Sequence, residues 1–178
     1  MKFFYSDEKN ERFNPAMRAR QITDTGMDVD YDAIFSQIKG YVKTVLKKER
    51  AGIGLAIGEF DPKVAAFWQV GGNYIVMNGA LIRALEQRLN DREAIQNYVI
   101  VVLMHEYLHS LGYTDEIAAR RLTHTILEAV LGGEHMATKI SSRDLWEVFP
   151  QLYYAQPRYG APLKIVDRFA TRDASYIA

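Results

Sequence analysis

From Asp32 onward, Ile34, Phe35, Ile38, Tyr41, Val42, Val45 and Leu46 recur at helical spacing while Lys39, Lys43 and Lys47 occupy the other face. That pattern predicts an amphipathic helix packed on one side. Three short apolar and aromatic runs follow, at 53–60, 65–70 and 74–77, separated by Asp61-Pro62 and Gly71-Gly72-Asn73. They predict three strands joined as hairpins in a small sheet, antiparallel in at least part. The chain then turns helical over 80–89, and Asn90-Asp91 caps a second helix over 92–111 that stops at Gly112. A third helix begins at Asp115 or Glu116 and runs to 131, where Gly132-Gly133 ends it, so the last two helices form a tight hairpin.

The stretch 141–149 has room for one more short helix, and from Pro150 the chain is rich in Pro, Tyr and Arg with no sustained period. Residues 1–29 carry both charge signs, with Pro15 and Gly26 as breaks, and read as a polar arm. The expected division is an arm at 1–29, a catalytic domain at 30–136, and a C-terminal helix with an extended tail at 137–178. Helices and strands segregated along the chain predict an α+β fold, with a mixed or antiparallel sheet.

Composition narrows the function. The chain has 178 residues, 48% of them apolar, which suits one domain with a proper core. Its 22 Lys+Arg balance 22 Asp+Glu, so the basic footprint that phosphate binding needs is missing, and nucleic acid is an unfavoured partner. The absence of cysteine excludes disulfide scaffolds, thiolate metal sites and cysteine nucleophiles. No apolar h-region opens the sequence, and its longest strongly apolar run, 98–104, is far short of the roughly 18–20 residues of a membrane span. The expectation is a cytoplasmic protein with no membrane partner.

One constellation carries chemistry. His105-Glu106-Tyr107-Leu108-His109 lies inside the predicted helix over 92–111, and residues four apart share a helix face, so both imidazoles can reach one metal ion. Glu106, one position on, can stand beside the ion and take a proton from a water that the cation makes acidic. The turns before it, with Val99, Ile100, Val102, Leu103 and Met104, are apolar, so the helix is buried, and buried polar groups without partners are costly. A metal accounts for all three at once. With no cysteine, the ligands must come from His, Asp and Glu, a set that suits an open catalytic zinc site.

For the third ligand the favoured residue is Asp115, which Gly112 can bring back toward the helix end by a left-handed turn. Its other role is the N-cap of the following helix. Glu116 is the alternative third ligand, His135 remains open, and hairpin geometry disfavours His124 and Glu128. Tyr107 and Tyr113 read as packing residues, with oxyanion stabilisation as the other role. Phe67 and Trp68 read as sheet core, Arg120-Arg121 as a solvated face or ion pair, and the tail as a surface wrap.

On these residues the stretch 53–131 resembles the zincin metallopeptidases. The resemblance implies a zinc peptidase acting on peptide or protein, and it implies that Tyr74, Ile75, Val76, Met77 and Asn78 form the strand that pairs with substrate. The run from His105 through Gly112 to Asp115 is similar to the metzincin branch with aspartate as third ligand, although no clear Met-turn follows. Minimal gluzincins, whose third ligand is a glutamate on the next helix, would place Glu116 there. The run is also similar to bacterial ribosome-maturation metalloproteins, where glycine stands at the position of Glu106. A general base there, with zero net charge, favours peptide over RNA. The rival expectation is a non-peptidase protein on the same fold, either a metal-dependent RNA-processing factor or a binding module.

Overall fold

The computed structural model describes residues 29–167 and 169, so the N-terminal arm lies, but for its last residue, outside the described residues. Within them the chain is α+β, with six α-helices and a four-stranded mixed sheet. Helix α1, Tyr31–Leu46, starts where Asp30 accepts a hydrogen bond from the Ala33 amide, and it buries Ile34, Phe35, Ile38 and Val42. Strands β1 (Gly54–Gly58), β2 (Ala66–Trp68) and β3 (Tyr74–Asn78) follow, and then helices α2 (Gly79–Leu89) and α3 (Arg92–Ser110). Helix α4 spans Glu116–Leu131; α6 (Leu145–Val148) lies in the stretch 141–149 predicted to hold one short helix, and α5 (Met136–Ser141) precedes it as a helix the sequence reading does not mark. A 3-10 helix, Pro150–Tyr154, and strand β4, Lys164–Ile165, complete the described chain.

The strand pairing departs from consecutive hairpins. The sheet order is β2-β3-β1-β4: β2 and β3 are an antiparallel hairpin, but β3 inserts between β2 and β1 and runs parallel to β1. Strand β3 is therefore hydrogen-bonded on both sides. Tyr74, Ile75, Val76, Met77 and Asn78 have no free edge for a substrate, and the strand at the sheet's edge is β2. On the far edge β4 pairs antiparallel with β1, so part of the tail is sheet rather than wrap.

Asn78 explains why β3 ends where it does. Its side chain is fully buried, and its Nδ2 donates to the carbonyls of Asp61 and Val64 at 3.1 and 3.0 Å, closing the connection between β1 and β2. Its Oδ1 accepts from the Ala80 amide at 3.1 Å, capping α2. One side chain thus fixes a loop, a strand end and a helix start.

Helix α3 is the axis of the molecule. Residues 97–110 are all buried, and the helix packs against α1, α2, α4, α5, β2 and β3. A helix buried all round cannot leave its polar side chains to water. The hydrophobic core it anchors extends to Ala137, Ile140, Leu145, Phe149 and Leu152, so the stretch after 136 shares one core with the helices before it. No helix among the described residues is long and apolar enough to cross a membrane.

Replacing Asn78 by Ala should lower stability by roughly 2–4 kcal/mol, because three part-buried carbonyls and the α2 cap lose their buried partner together. Urea unfolding measures it, and a loss below about 1 kcal/mol would contradict this role.

Candidate metal centre

His105, Glu106 and His109 sit on the last turns of α3 at 2%, 2% and 8% exposure. The Nε2 atoms of the two histidines lie 3.0 Å apart. Glu116, the first residue of α4, meets them both: Oε2 is 3.3 Å from His105 Nε2 and Oε1 is 3.2 Å from His109 Nε2. These three residues are the group of donors that could hold a metal ion among the described residues.

The helix end builds this arrangement. Gly112 adopts φ +98°, a left-handed value, and the Gly112 amide donates to the His109 carbonyl while the Tyr113 amide donates to the Leu108 carbonyl. This pair of bonds is a Schellman cap. It turns the Tyr113 carbonyl back to His109, whose Nδ1 lies 2.8 Å from it. A carbonyl only accepts, so the proton sits on Nδ1 and the neutral ring presents a bare Nε2 to the cluster.

The same turn decides between the two acidic residues. Asp115 is the N-cap of α4, with its Oδ1 accepting from the Ala118 amide at 2.7 Å, and its carboxylate is not part of the cluster. Glu116, one residue later, carries its carboxylate on a longer side chain to the histidines. The favoured ligand thus has the capping role, and the alternative occupies the site. His135 caps α5 through Nδ1, and His124 Nδ1 lies 3.0 Å from Ser141 Oγ; neither belongs to the cluster, nor does Glu128.

The chemistry of the donors fits a cation. Tetrahedral bonds of about 2.0–2.1 Å put neighbouring ligand atoms roughly 3.3 Å apart, close to the 3.0 Å between the two Nε2 atoms, and each of these has one Glu116 oxygen at 3.2 or 3.3 Å. Glu116 Oε2 is buried and accepts no well-formed hydrogen bond. Burial pushes the Glu116 carboxyl up, but the two imidazoles outweigh it and bring it down to about 2. Burial also dominates at His105, whose imidazole is held below its ordinary value with Arg120 nearby adding to the effect. At His109 burial is outweighed by Glu116 and Glu106, which raise it.

Glu106 points a different way. One position round the helix from His105, its carboxylate accepts a hydrogen bond from the backbone N–H of Trp68 in β2, and burial pushes its carboxyl up to about 7. Trp68 is in turn held by Arg50, whose guanidinium lies 5.2 Å from the indole ring centre and donates to the Ser110, Gly72 and Asn73 oxygens. Tyr107 is fully buried and bonds the Arg50 backbone through its hydroxyl, so it packs rather than faces the cluster. Tyr113 contributes its carbonyl, and Lys48 lies over its ring at 4.7 Å.

Sequence reasoning did not single out Arg50, and it read Trp68 only as core. Arg50 carries no local signal, since its partners lie 22 to 60 residues away. No family model matches the chain, and no curated protein or solved structure matches it.

Two substitutions separate the adjacent acids. Asp115→Ala should cost about 1 kcal/mol of stability through the lost cap while one ion per chain is retained. Glu116→Ala should weaken metal binding by at least tenfold. Metal titration with calorimetry and thermal unfolding reads both, and equal metal loss in the two variants would contradict the assignment.

Proposed function

We propose that the chain is a zinc-dependent peptidase, with His105, His109 and Glu116 holding the ion and Glu106 acting as general base. What carries the reading is the convergence of two imidazole nitrogens and the Glu116 carboxylate, with one donor atom from each residue within 4.8 Å of the others, beside a buried carboxylate that is not one of them. Two imidazoles and a carboxylate are a donor set characteristic of catalytic zinc. A zinc ion there supplies Lewis acidity, polarising a peptide carbonyl and making water ionise near neutral pH.

The protein's own residues do the rest. Glu106 is buried on the α3 face that packs against β2, with the Trp68 N–H facing its carboxylate. Glu106 accepts a proton from the attacking water as the water oxygen bonds the carbonyl carbon. It returns that proton to the leaving nitrogen as the C–N bond breaks, so each product is complete. A carboxyl whose affinity for protons is raised by burial toward neutrality suits both halves of this exchange. The Tyr113 carbonyl keeps His109 in the tautomer that offers Nε2.

Glu106→Gln should retain one zinc per chain and lose hydrolysis of a peptide library by roughly 100-fold or more. Chelation should abolish the activity of the wild type, and added zinc should restore it. Undiminished peptide hydrolysis by the Gln variant, or cleavage of RNA but no peptide, would overturn the reading.

A further inference from the structure

Arg50 lies in the connection between α1 and β1, and its guanidinium reaches three neutral oxygens. Nη1 donates to the Ser110 carbonyl at 2.8 Å, and Nη2 donates to the Gly72 carbonyl at 3.0 Å and to Asn73 Oδ1 at 3.2 Å. We propose that Arg50 is a positioning residue for the hydrolysis: it holds the β2–β3 turn on the last residue of α3 and so sets edge strand β2 at the distance from Glu106 that the reaction uses. The proposal rests on reading Glu106 as the general base of a zinc peptidase.

Both ends of the residue are tied to α3. The Arg50 backbone N–H donates to the Tyr107 hydroxyl at 2.8 Å, and that hydroxyl donates to the Arg50 carbonyl at 3.3 Å, so a fully buried side chain of α3 anchors the loop. The guanidinium then meets Ser110, the residue after His109, at the helix C-terminus, where carbonyls lack helical partners and a cation is favoured. Arg50 differs from Lys43, Arg83 and Lys139, which pair with Glu49, Glu59 and Glu134. Among the described residues it forms no ion pair with a carboxylate, and its donors go to the two elements it joins.

The turn it holds has few other ties. The ladder between β2 and β3 stops at Trp68 and Ile75, and residues 69–73 lie beyond it. On the β3 side, the Asn73 carbonyl accepts from the Gly54 amide at 2.7 Å, which fastens that end to β1. On the β2 side the bonds stay inside the hairpin: the Gly72 amide donates to the Gln69 carbonyl, and Trp68 Nε1 donates to the Gly72 carbonyl. Among the described residues, Arg50 is thus the hydrogen-bonded link between this side of the turn and the end of α3. A planar guanidinium suits the task, because its fixed fork bonds two elements at once where an ammonium is a single point charge.

Trp68 carries that position to the site. The guanidinium stands 5.2 Å from its indole centre, and the Gly72 carbonyl takes the Arg50 and indole donors together. The Trp68 N–H faces the Glu106 carboxylate. Strand β2 has a neighbour on one side only, so a shift of the turn passes along its three residues without a second strand to resist it. A misplacement of about 1 Å at a reacting group can cost roughly 100-fold in rate. The three candidate ligands lie on α3 and α4, so loss of the guanidinium leaves the elements that hold them in place.

The test compares zinc-loaded full-length wild type with Arg50→Ala, Arg50→Lys, Asn73→Ala and Arg83→Ala, the last a control whose ion pair with Glu59 lies outside the site. Arg50→Ala should keep one zinc per chain and lower kcat on a quenched-fluorescence peptide library at least tenfold, with KM changed less than threefold. Millimolar guanidinium should restore at least a third of the lost kcat, whereas Arg50→Lys should stay within threefold of the Ala variant. Asn73→Ala, the milder change, should lower kcat in the same direction and add nothing to Arg50→Ala, because the two share one bond. Arg83→Ala should lower the thermal midpoint with kcat within twofold of wild type. Hydrogen exchange should quicken at least tenfold over 67–73 in Arg50→Ala and less than twofold over 95–104. Unchanged kcat, a kcat loss that Arg83→Ala matches, or exchange quickened evenly along the chain would overturn the proposal and leave the peptidase reading standing. Wild type that hydrolyses no peptide overturns the peptidase reading instead, and the exchange pattern then decides by itself whether Arg50 holds the turn.

Discussion

Helix α3 runs through the middle of the protein, so each polar atom it carries has to be met from within. Three ionisable side chains near its C-terminal end are nearly removed from water, and the cost of that burial organises everything around them. Glu116 comes in from α4, the Tyr113 carbonyl from the turn, and the Trp68 N–H from β2. Arg50 then joins the end of α3 to the β2–β3 turn through three oxygens and an indole face. At the cluster, the two Nε2 atoms lie 3.0 Å apart, each with one oxygen of the Glu116 carboxylate at 3.2 or 3.3 Å.

The neighbours of the cluster divide the work by direction. Toward the sheet, Glu106 is held against an edge strand whose position is fixed by β3 and the Arg50 clamp. Toward α4 and α5, His105 adjoins a small, mainly apolar cavity. Gly112 matters here because its left-handed turn sets where α4 begins and so where Glu116 meets the histidines.

Much of this was legible in the amino-acid sequence. Helical periodicity marked α1 and α4, and the spacing of His105 and His109 on an apolar helix put two imidazoles on one buried face. Gly112 was readable as a left-handed stop. What periodicity could not show was order within the sheet: three apolar runs of similar length look alike whether they pair with sequence neighbours or let β3 slip between β2 and β1. The exclusion of Tyr74 to Asn78 from the sheet edge follows from that crossover alone. Strand β4 is two residues long, too short to carry a pattern. The choice between Asp115 and Glu116 was closer to legible, because an aspartate at a helix start spends its carboxylate on the amides of the first turn and leaves the next acid to reach the histidines.

The central claim is that the lone pairs of His105, His109 and Glu116 meet on one ion. X-ray absorption spectroscopy of zinc-loaded protein tests it most directly. The account predicts a four-coordinate zinc with the scattering signature of two imidazoles and first-shell N/O distances of about 2.0–2.1 Å. A six-coordinate oxygen shell without imidazole scattering, or no stoichiometric zinc to measure, would contradict it.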